Sequence, residues 1–322
     1  MKEEKVVIVG GGPCGLSAAI ELKEVGLNPL IIEKGNIVNS IYRFPTHQTF
    51  FSTADKLEIG GVPFITENRK PVRNQALAYY REVVKRKNLR IHAFEKVEKV
   101  EKKEDGTFII TTSRDLYRSA FVIIATGYYD NPNYMNVPGE DLPHVFHYFK
   151  EAHPFFDKDV VVIGGKNSSV DAALELHKAG ARVTVLYRGG EYSPSIKPWV
   201  LPEFDSLVRK GLVKMEFHSV VKEIKEDHLT YVVNGAEEKT IPCDFVFAMT
   251  GYHPDHDFLK KMGVEIDEQT GRPHFNEETM ETNIKGIFIA GVIAAGNDAN
   301  EIFIENGRFH GGLIANEIAK RI

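Results

Sequence analysis

Only two cysteines, Cys14 and Cys243, occur among 322 residues, so neither a CxxC pair nor a cysteine metal cluster nor the disulfide framework of a small secreted domain can be assembled. So low a thiol count fits a reducing compartment, and the cytoplasm is the expected location. Long apolar runs are missing as well: nothing approaches the roughly 18 to 20 residues that span a bilayer. The short run Val6-Val7-Ile8-Val9 follows a charged start but leads straight into three glycines, which is not the core of a signal peptide. Nor is there an excess of one charge. With 40 basic and 45 acidic residues and a formal net charge of -5, no electrostatic ground exists for a nucleic-acid partner or a polybasic membrane contact. The histidines lack zinc-protease spacing, and His253-x-x-His256 beside Pro254 reads as loop surface, so no metal is expected.

What the chain does contain is a duplication. Val6-Val7-Ile8-Val9-Gly10-Gly11-Gly12 and Val160-Val161-Val162-Ile163-Gly164-Gly165-Lys166 are both β-branched runs that open into small residues and then a helical pattern. After the first come Leu16, Ala19, Ile20 and Leu22 at helix spacing, then Gly26 and a second strand ending at Glu33; after the second come Val170, Ala173, Leu174 and Leu176, then Gly180 and a strand ending at Tyr187. Each is a βαβ unit. The fold class is therefore α/β, with two Rossmann-like, three-layer dinucleotide-binding domains. Strand-to-turn elements at Ala125-Thr126-Gly127, Met249-Thr250-Gly251 and Ala290-Gly291 place the second domain inside the first: 1–130 with 252–322, and 131–251.

Gly10-x-Gly12-x-x-Gly15 follows a strand, opens a helix and precedes an acid at the end of the next strand, a context that makes it a pyrophosphate cradle with Glu33 on the ribose hydroxyls. In Gly164-x-Lys166-x-x-Ser169 two of three glycines are replaced, yet Lys166 suits an anion. The following strand ends in Tyr187-Arg188 where an NAD enzyme carries an acid, which favours a ribose 2′-phosphate and hence NADPH. Cys14 has two readings. A thiol is nearly as small as the alanine common there, and a helix N-terminus lowers a thiol pKa while a neighbouring pyrophosphate raises it. Cys243, inside an apolar strand over 241–249, reads as core. A helical pattern over 301–318 begins where its N-terminus can face the ligand of the first domain.

Gly10-Gly11-Gly12-Pro13-x-Gly15, the Ala125-Thr126-Gly127 turn, the inserted second unit and the closing 286–291 strand together resemble the low-molecular-weight thioredoxin reductase family over essentially the whole chain. Two departures exclude a thioredoxin reductase proper: the redox CxxC is absent, and Val292 stands where that family has the aspartate that holds the ribityl chain. The loops Gly12-Pro13-Cys14-Gly15 and Gly165-Lys166-Asn167-Ser168 resemble those of a CxxC-lacking branch, the bacillithiol disulfide reductases. That resemblance implies FAD and NADPH as cofactors, a small-molecule disulfide as acceptor, Cys14 as redox thiol and a homo-oligomer. The expected FAD contacts are Gly10, Gly12, Pro13, Cys14, Gly15, Glu33, Lys34, Ala125, Thr126, Gly127, Gly291, Val292 and Glu301. Those for NADPH are Gly164, Lys166, Asn167, Ser168, Ser169 and Arg188. Alternatives are a ferredoxin–NADP reductase of the same architecture, expected to extend past the last helix, a flavin monooxygenase, whose Phe-x-Gly-x-x-x-His signature is not supplied here, and a redox-sensing module that binds both nucleotides without turnover.

Overall fold

In the computed structural model, which describes residues 1–298 and 300–322, the chain forms two compact units, Met1–Asn131 with Tyr252–Ile322, and Pro132–Gly251. The first is built on a seven-stranded sheet. Strand Lys2–Val9 lies between Leu30–Glu33 and Leu116–Ile124, parallel to both, with Arg90–Ala93 outside Leu30–Glu33. Val6, Val7, Ile8 and Val9 are all buried, the behaviour expected of a β-branched run covered on both faces of a parallel sheet. The long strand Leu116–Ile124 serves two partners along one edge: its first half pairs antiparallel with the hairpin strand Phe108–Thr112, its second half parallel with Ile287–Ile289. The returning C-terminal segment thus reaches the centre of the sheet exactly where the hairpin peels away.

Helix Pro13–Glu24 packs Leu16, Ala18, Ala19, Ile20 and Leu22 into the core. Proline at its first position costs no hydrogen bond there, because that N–H has no intrahelical partner. Against it lies helix His310–Ala319, so close that a Cβ at Gly311 would stand 2.6 Å from the Ala18 Cα.

The helical pattern over 301–318 does not form one helix; two short ones, Ile304–Gly307 and His310–Ala319, replace it. The break has a cause. Ser17 donates to the Arg308 carbonyl at 2.7 Å, which diverts that carbonyl from the helix ladder, and the chain turns at Phe309.

The second unit carries a five-stranded sheet in the order Val213–Glu216, Arg182–Leu186, Asp159–Ile163, Phe245–Ala248, Val145–Phe146, all parallel. Beside it a three-stranded antiparallel sheet runs over Ser219–Ile224, His228–Val233 and Glu237–Pro242. Cys243 is buried, but it does not lie inside a strand over 241–249: it sits at the junction of Glu237–Pro242 and Phe245–Ala248, donating its backbone N–H to the Asp227 carbonyl. Among the described residues no helix is long and apolar enough to cross a membrane, and no group of three or more His, Cys, Asp or Glu could hold a metal ion.

Candidate functional site

At the carboxyl end of the first sheet the loop after Lys2–Val9 makes its turn with Gly10 at φ +110°, where a Cβ would stand 2.4 Å from the Ala125 carbonyl oxygen. Gly15 permits equally close packing, since a Cβ there would lie 2.1 Å from the Gly10 carbonyl oxygen. Gly12 is different: a Cβ at Gly12 meets nothing within 4 Å and would project into open space. Two glycines therefore serve the fold and one leaves room for a ligand. Gly12 also caps the helix Pro13–Glu24 with no side-chain hydrogen bond, so the helix presents its N-terminus uncapped.

That loop is one wall of a cleft of about 400 Å³, a size typical of small-molecule sites. The cleft collects Gly10, Gly12, Pro13, Cys14, Glu33, Lys34, Ala125, Thr126, Gly127, Gly291 and Val292. Gly15 lies beneath the wall rather than in it. Glu301 is elsewhere: it is exposed and ion-paired with Arg272.

Glu33 is buried, and its two oxygens accept from the Gly11 and Gly35 backbone N–H groups at 2.7 and 2.8 Å. Burial raises its pKa, opposed by those two hydrogen bonds. Each carboxylate oxygen keeps a lone pair, so a sugar hydroxyl can still be bound. Lys34 is tied to Asp130 at 2.9 Å, and Arg43 reaches the same carboxylate at 2.5 Å. The Thr126 Oγ1 is buried in the cleft without a hydrogen-bond partner, a cost that a polar ligand atom would remove. An orphan hydroxyl, an open Gly12, an uncapped helix and a ribose-accepting carboxylate on one surface fit the pyrophosphate and sugar of FAD.

Cys14 is a free thiol on the first turn of the same helix. Two glycines hem its sulfur in: a Cβ at Gly291 would come within 2.9 Å of the Sγ, and one at Gly307 within 3.0 Å. Burial pushes the thiol up to about 12, against the thiolate that a place at a helix N-terminus favours. Gly291, at φ +82°, is held from the other side, its N–H donating to the Nδ1 of His310 at 3.1 Å. The acceptor role requires the neutral imidazole, and burial lowers the His310 pKa.

In the second unit the duplication is visible atom by atom. The Gly164 N–H donates to the Leu186 carbonyl at 2.9 Å as the Gly10 N–H does to Ile32, and a Cβ at Gly164 would stand 2.5 Å from the Met249 carbonyl oxygen, the counterpart of Ala125. Ser169 replaces the third glycine and is accommodated by donating its hydroxyl to the Lys166 carbonyl at 2.8 Å. Lys166, Ser168 and Arg188 are exposed at this loop and at the end of the adjoining strand. Asn167 is engaged within the protein: its amide donates to the Ser195 carbonyl at 2.7 Å and accepts from the Lys197 N–H at 2.8 Å. Lys197 in turn reaches Asp171 at 2.7 Å, and the 193–197 loop is thereby clamped over the first turn of helix Asn167–Lys178.

Residues 7–291 match the pyridine nucleotide-disulphide oxidoreductase family. The chain belongs to that family. Within the pyridine nucleotide-disulphide oxidoreductases it is 72% identical over 321 residues, 100% of this chain and 99% of the other, to the bacilliredoxin reductase of Bacillus subtilis (strain 168). Its structure superposes with a TM-score of 0.98 and 69% identity on the bacillithiol disulfide reductase of Bacillus cereus, covering 100% of both chains. For the bacillithiol disulfide reductase of Staphylococcus aureus the TM-score is 0.97 and the identity 62%, covering 100% of this chain and 99% of that one.

For a family member without CxxC, much of the cleft was not legible in the glycine motifs. Asn39, Ser40, Gln48, Tyr128, Asp130 and Ile302 to Ile304 all line it. A signal was present: the stretch 42–53, between the first βαβ unit and the hairpin, interleaves four aromatic rings and one histidine with hydroxyl and amide side chains, the composition of a ligand wall rather than of a core strand.

Proposed function

We propose that this protein is an FAD-dependent, NADPH-consuming oxidoreductase that reduces bacillithiol disulfide in cytoplasmic thiol redox homeostasis, with FAD in the unit Met1–Asn131 with Tyr252–Ile322 and NADPH on Pro132–Gly251. The overall reaction balances as NADPH plus a proton plus one disulfide giving NADP⁺ and two thiols. FAD, when bound, supplies the two-electron relay between a pyridine nucleotide and a disulfide. The protein's own residues bind, orient and insulate. Gly12 and the uncapped helix accept the pyrophosphate, Glu33 the ribose, and the Thr126 hydroxyl gains a partner. Lys166 and Arg188 offer exposed cations to the phosphates of NADPH.

The observation that carries the reading is the position of the Cys14 sulfur, in the same cleft as the glycine loop and pinned between Gly291 and Gly307. As a protonated thiol at neutral pH it attacks a disulfide only when its proton is removed; a mixed disulfide then forms between Cys14 and one half of the acceptor while the other half leaves as a thiol with that proton, and the two electrons that NADPH supplies cleave the mixed disulfide, releasing the second thiol and restoring Cys14. Replacing Cys14 by alanine is expected to leave flavin reduction by NADPH intact and to depress disulfide turnover by at least about tenfold; full turnover in C14A would remove the thiol from the chemistry. The name of the Bacillus subtilis relative favours a second reading, in which the acceptor is a bacilliredoxin. Comparing NADPH oxidation with bacillithiol disulfide alone and with an oxidised bacilliredoxin separates the two. A homo-oligomer is proposed as the working assembly, to be tested by light scattering.

A further inference from the structure

The duplication extends past the glycine loops to the residue that ends each second strand. In the first unit the Glu33 carbonyl accepts from the Glu95 N–H at 3.0 Å and the Gly35 carbonyl from the Phe94 N–H at 2.7 Å. In the second the Tyr187 carbonyl accepts from the Ser219 N–H and the Gly189 carbonyl from the His218 N–H, both at 2.9 Å. Phe94 and His218 also share a left-handed backbone, with φ +56° and +52°. Tyr187 therefore holds the place of Glu33, and Arg188 and Gly189 hold those of Lys34 and Gly35.

The two side chains lie on matching glycines. A Cβ at Gly11 would stand 3.1 Å from the Glu33 Cβ, and the Glu33 oxygens accept from the Gly11 and Gly35 N–H groups. At Gly165 a Cβ would stand 2.3 Å from the Cγ and Cδ2 of Tyr187, and at Gly189 one would stand 2.5 Å from its Cε1. The ring thus lies across both glycines, where the first unit has its carboxylate. Neither Gly165 nor Gly189 has a left-handed backbone, so the ring above them, rather than the turn, calls for glycine at both positions.

The backbone agrees and the chemistry differs. A carboxylate at the end of this strand accepts hydrogen bonds from ribose hydroxyls and repels a 2′-phosphate. A phenol does neither, and its O–H can donate to a phosphate oxygen. The turn Tyr187-Arg188-Gly189-Gly190 holds no acid. We propose that Tyr187 is the residue by which the second unit discriminates against NADH: its ring denies the ribose diol of an unphosphorylated coenzyme a carboxylate, and it sets no negative charge against the 2′-phosphate that Arg188 attracts. The proposal rests on the reading of Pro132–Gly251 as the NADPH-binding unit.

The test measures the dissociation constants of NADP⁺ and NAD⁺ for the flavin-loaded protein by isothermal titration calorimetry. Y187E supplies an acceptor with a charge, Y187Q an acceptor without one, and Y187F keeps the ring. Y187E is expected to bind NAD⁺ about tenfold more tightly, through a charged hydrogen bond gained, and NADP⁺ at least about tenfold more weakly, through repulsion of the 2′-phosphate. Y187Q should bind NAD⁺ about fivefold more tightly with NADP⁺ within about twofold, and Y187F should hold the ratio of the two constants within about threefold. An unaltered ratio in Y187E overturns the proposal. Should Y187E fail to fold, an unaltered ratio in Y187Q overturns it, and so does a loss of preference in Y187F greater than that in Y187Q, since the hydroxyl rather than the missing carboxylate would then discriminate. A parent protein that binds neither nucleotide contradicts the reading of the unit and the proposal with it, whereas a parent that binds NADP⁺ beside a Y187E that keeps its preference contradicts the proposal alone.

Discussion

Three glycines of one loop separate fold from function. A methyl group at Gly10 collides with the Ala125 carbonyl in a backbone conformation that L-residues avoid, whereas one at Gly12 touches no protein atom. G10A is therefore expected to lose about 3 kcal/mol or more of stability. G12A should fold within about 0.5 kcal/mol of the parent yet bind flavin at least tenfold more weakly; thermal unfolding of the apoprotein and a flavin titration measure the two effects separately, and tight flavin binding by G12A would contradict the assignment of the open space. Cys14 gives a second residue-scale expectation. With its thiol pushed up to about 12, alkylation by iodoacetamide should be slow at pH 7 and keep rising tenfold per pH unit to pH 10 without a plateau. A plateau near pH 7 would mean that the helix N-terminus prevails over burial. The glycine roles were legible in the sequence because their demands are local. The protonation of Cys14 was not, because Gly291 and Gly307, which bury it, lie far along the chain.

Both βαβ units could be read from their periodicity, since a β-branched run, a glycine turn and apolar residues at helix spacing are all local signals. The division of 301–318 into two helices could not, because the bond that breaks it joins residues 291 positions apart. Alternation such as that of Ser219–Ile224, buried at every second position over its first three residues and interrupted by a bulge after Val221, was there to be read as an antiparallel edge but is too short to stand out. The clamp of the 193–197 loop was equally hidden: the sequence offers Asn167 as a phosphate ligand, while the structure spends its amide on Ser195 and Lys197. Replacing Asn167 by alanine should free the loop over the helix start and raise KM for NADPH by up to about thirtyfold with kcat nearly unchanged, the effect of two lost hydrogen bonds at about 1 kcal/mol each. A variant with an unaltered KM would show that the loop takes no part in nucleotide binding.

Across the whole molecule, burial holds the imidazoles of His147, His256 and His310 below the ordinary histidine range. As the pH falls through about 6.5 the unfolded chain takes up protons that the folded chain refuses, so stability present above that pH is lost below it. The melting temperature should be lower at pH 5.5 than at pH 7.5, by roughly 2–4 °C for each kcal/mol lost; a higher value at pH 5.5 would refute the assignment. At the same scale the family was legible because paired glycine loops, the inserted second unit and the missing CxxC act together, whereas the cleft wall contributed by residues of 42–53 follows no general motif. The most direct test of the central claim is anaerobic spectrophotometry of the purified protein with NADPH and then bacillithiol disulfide. The account predicts a yellow protein whose absorbance near 450 nm bleaches on adding NADPH and returns in proportion to the disulfide supplied. A colourless protein that takes up no FAD, or a bleached flavin that the disulfide leaves bleached, would contradict it.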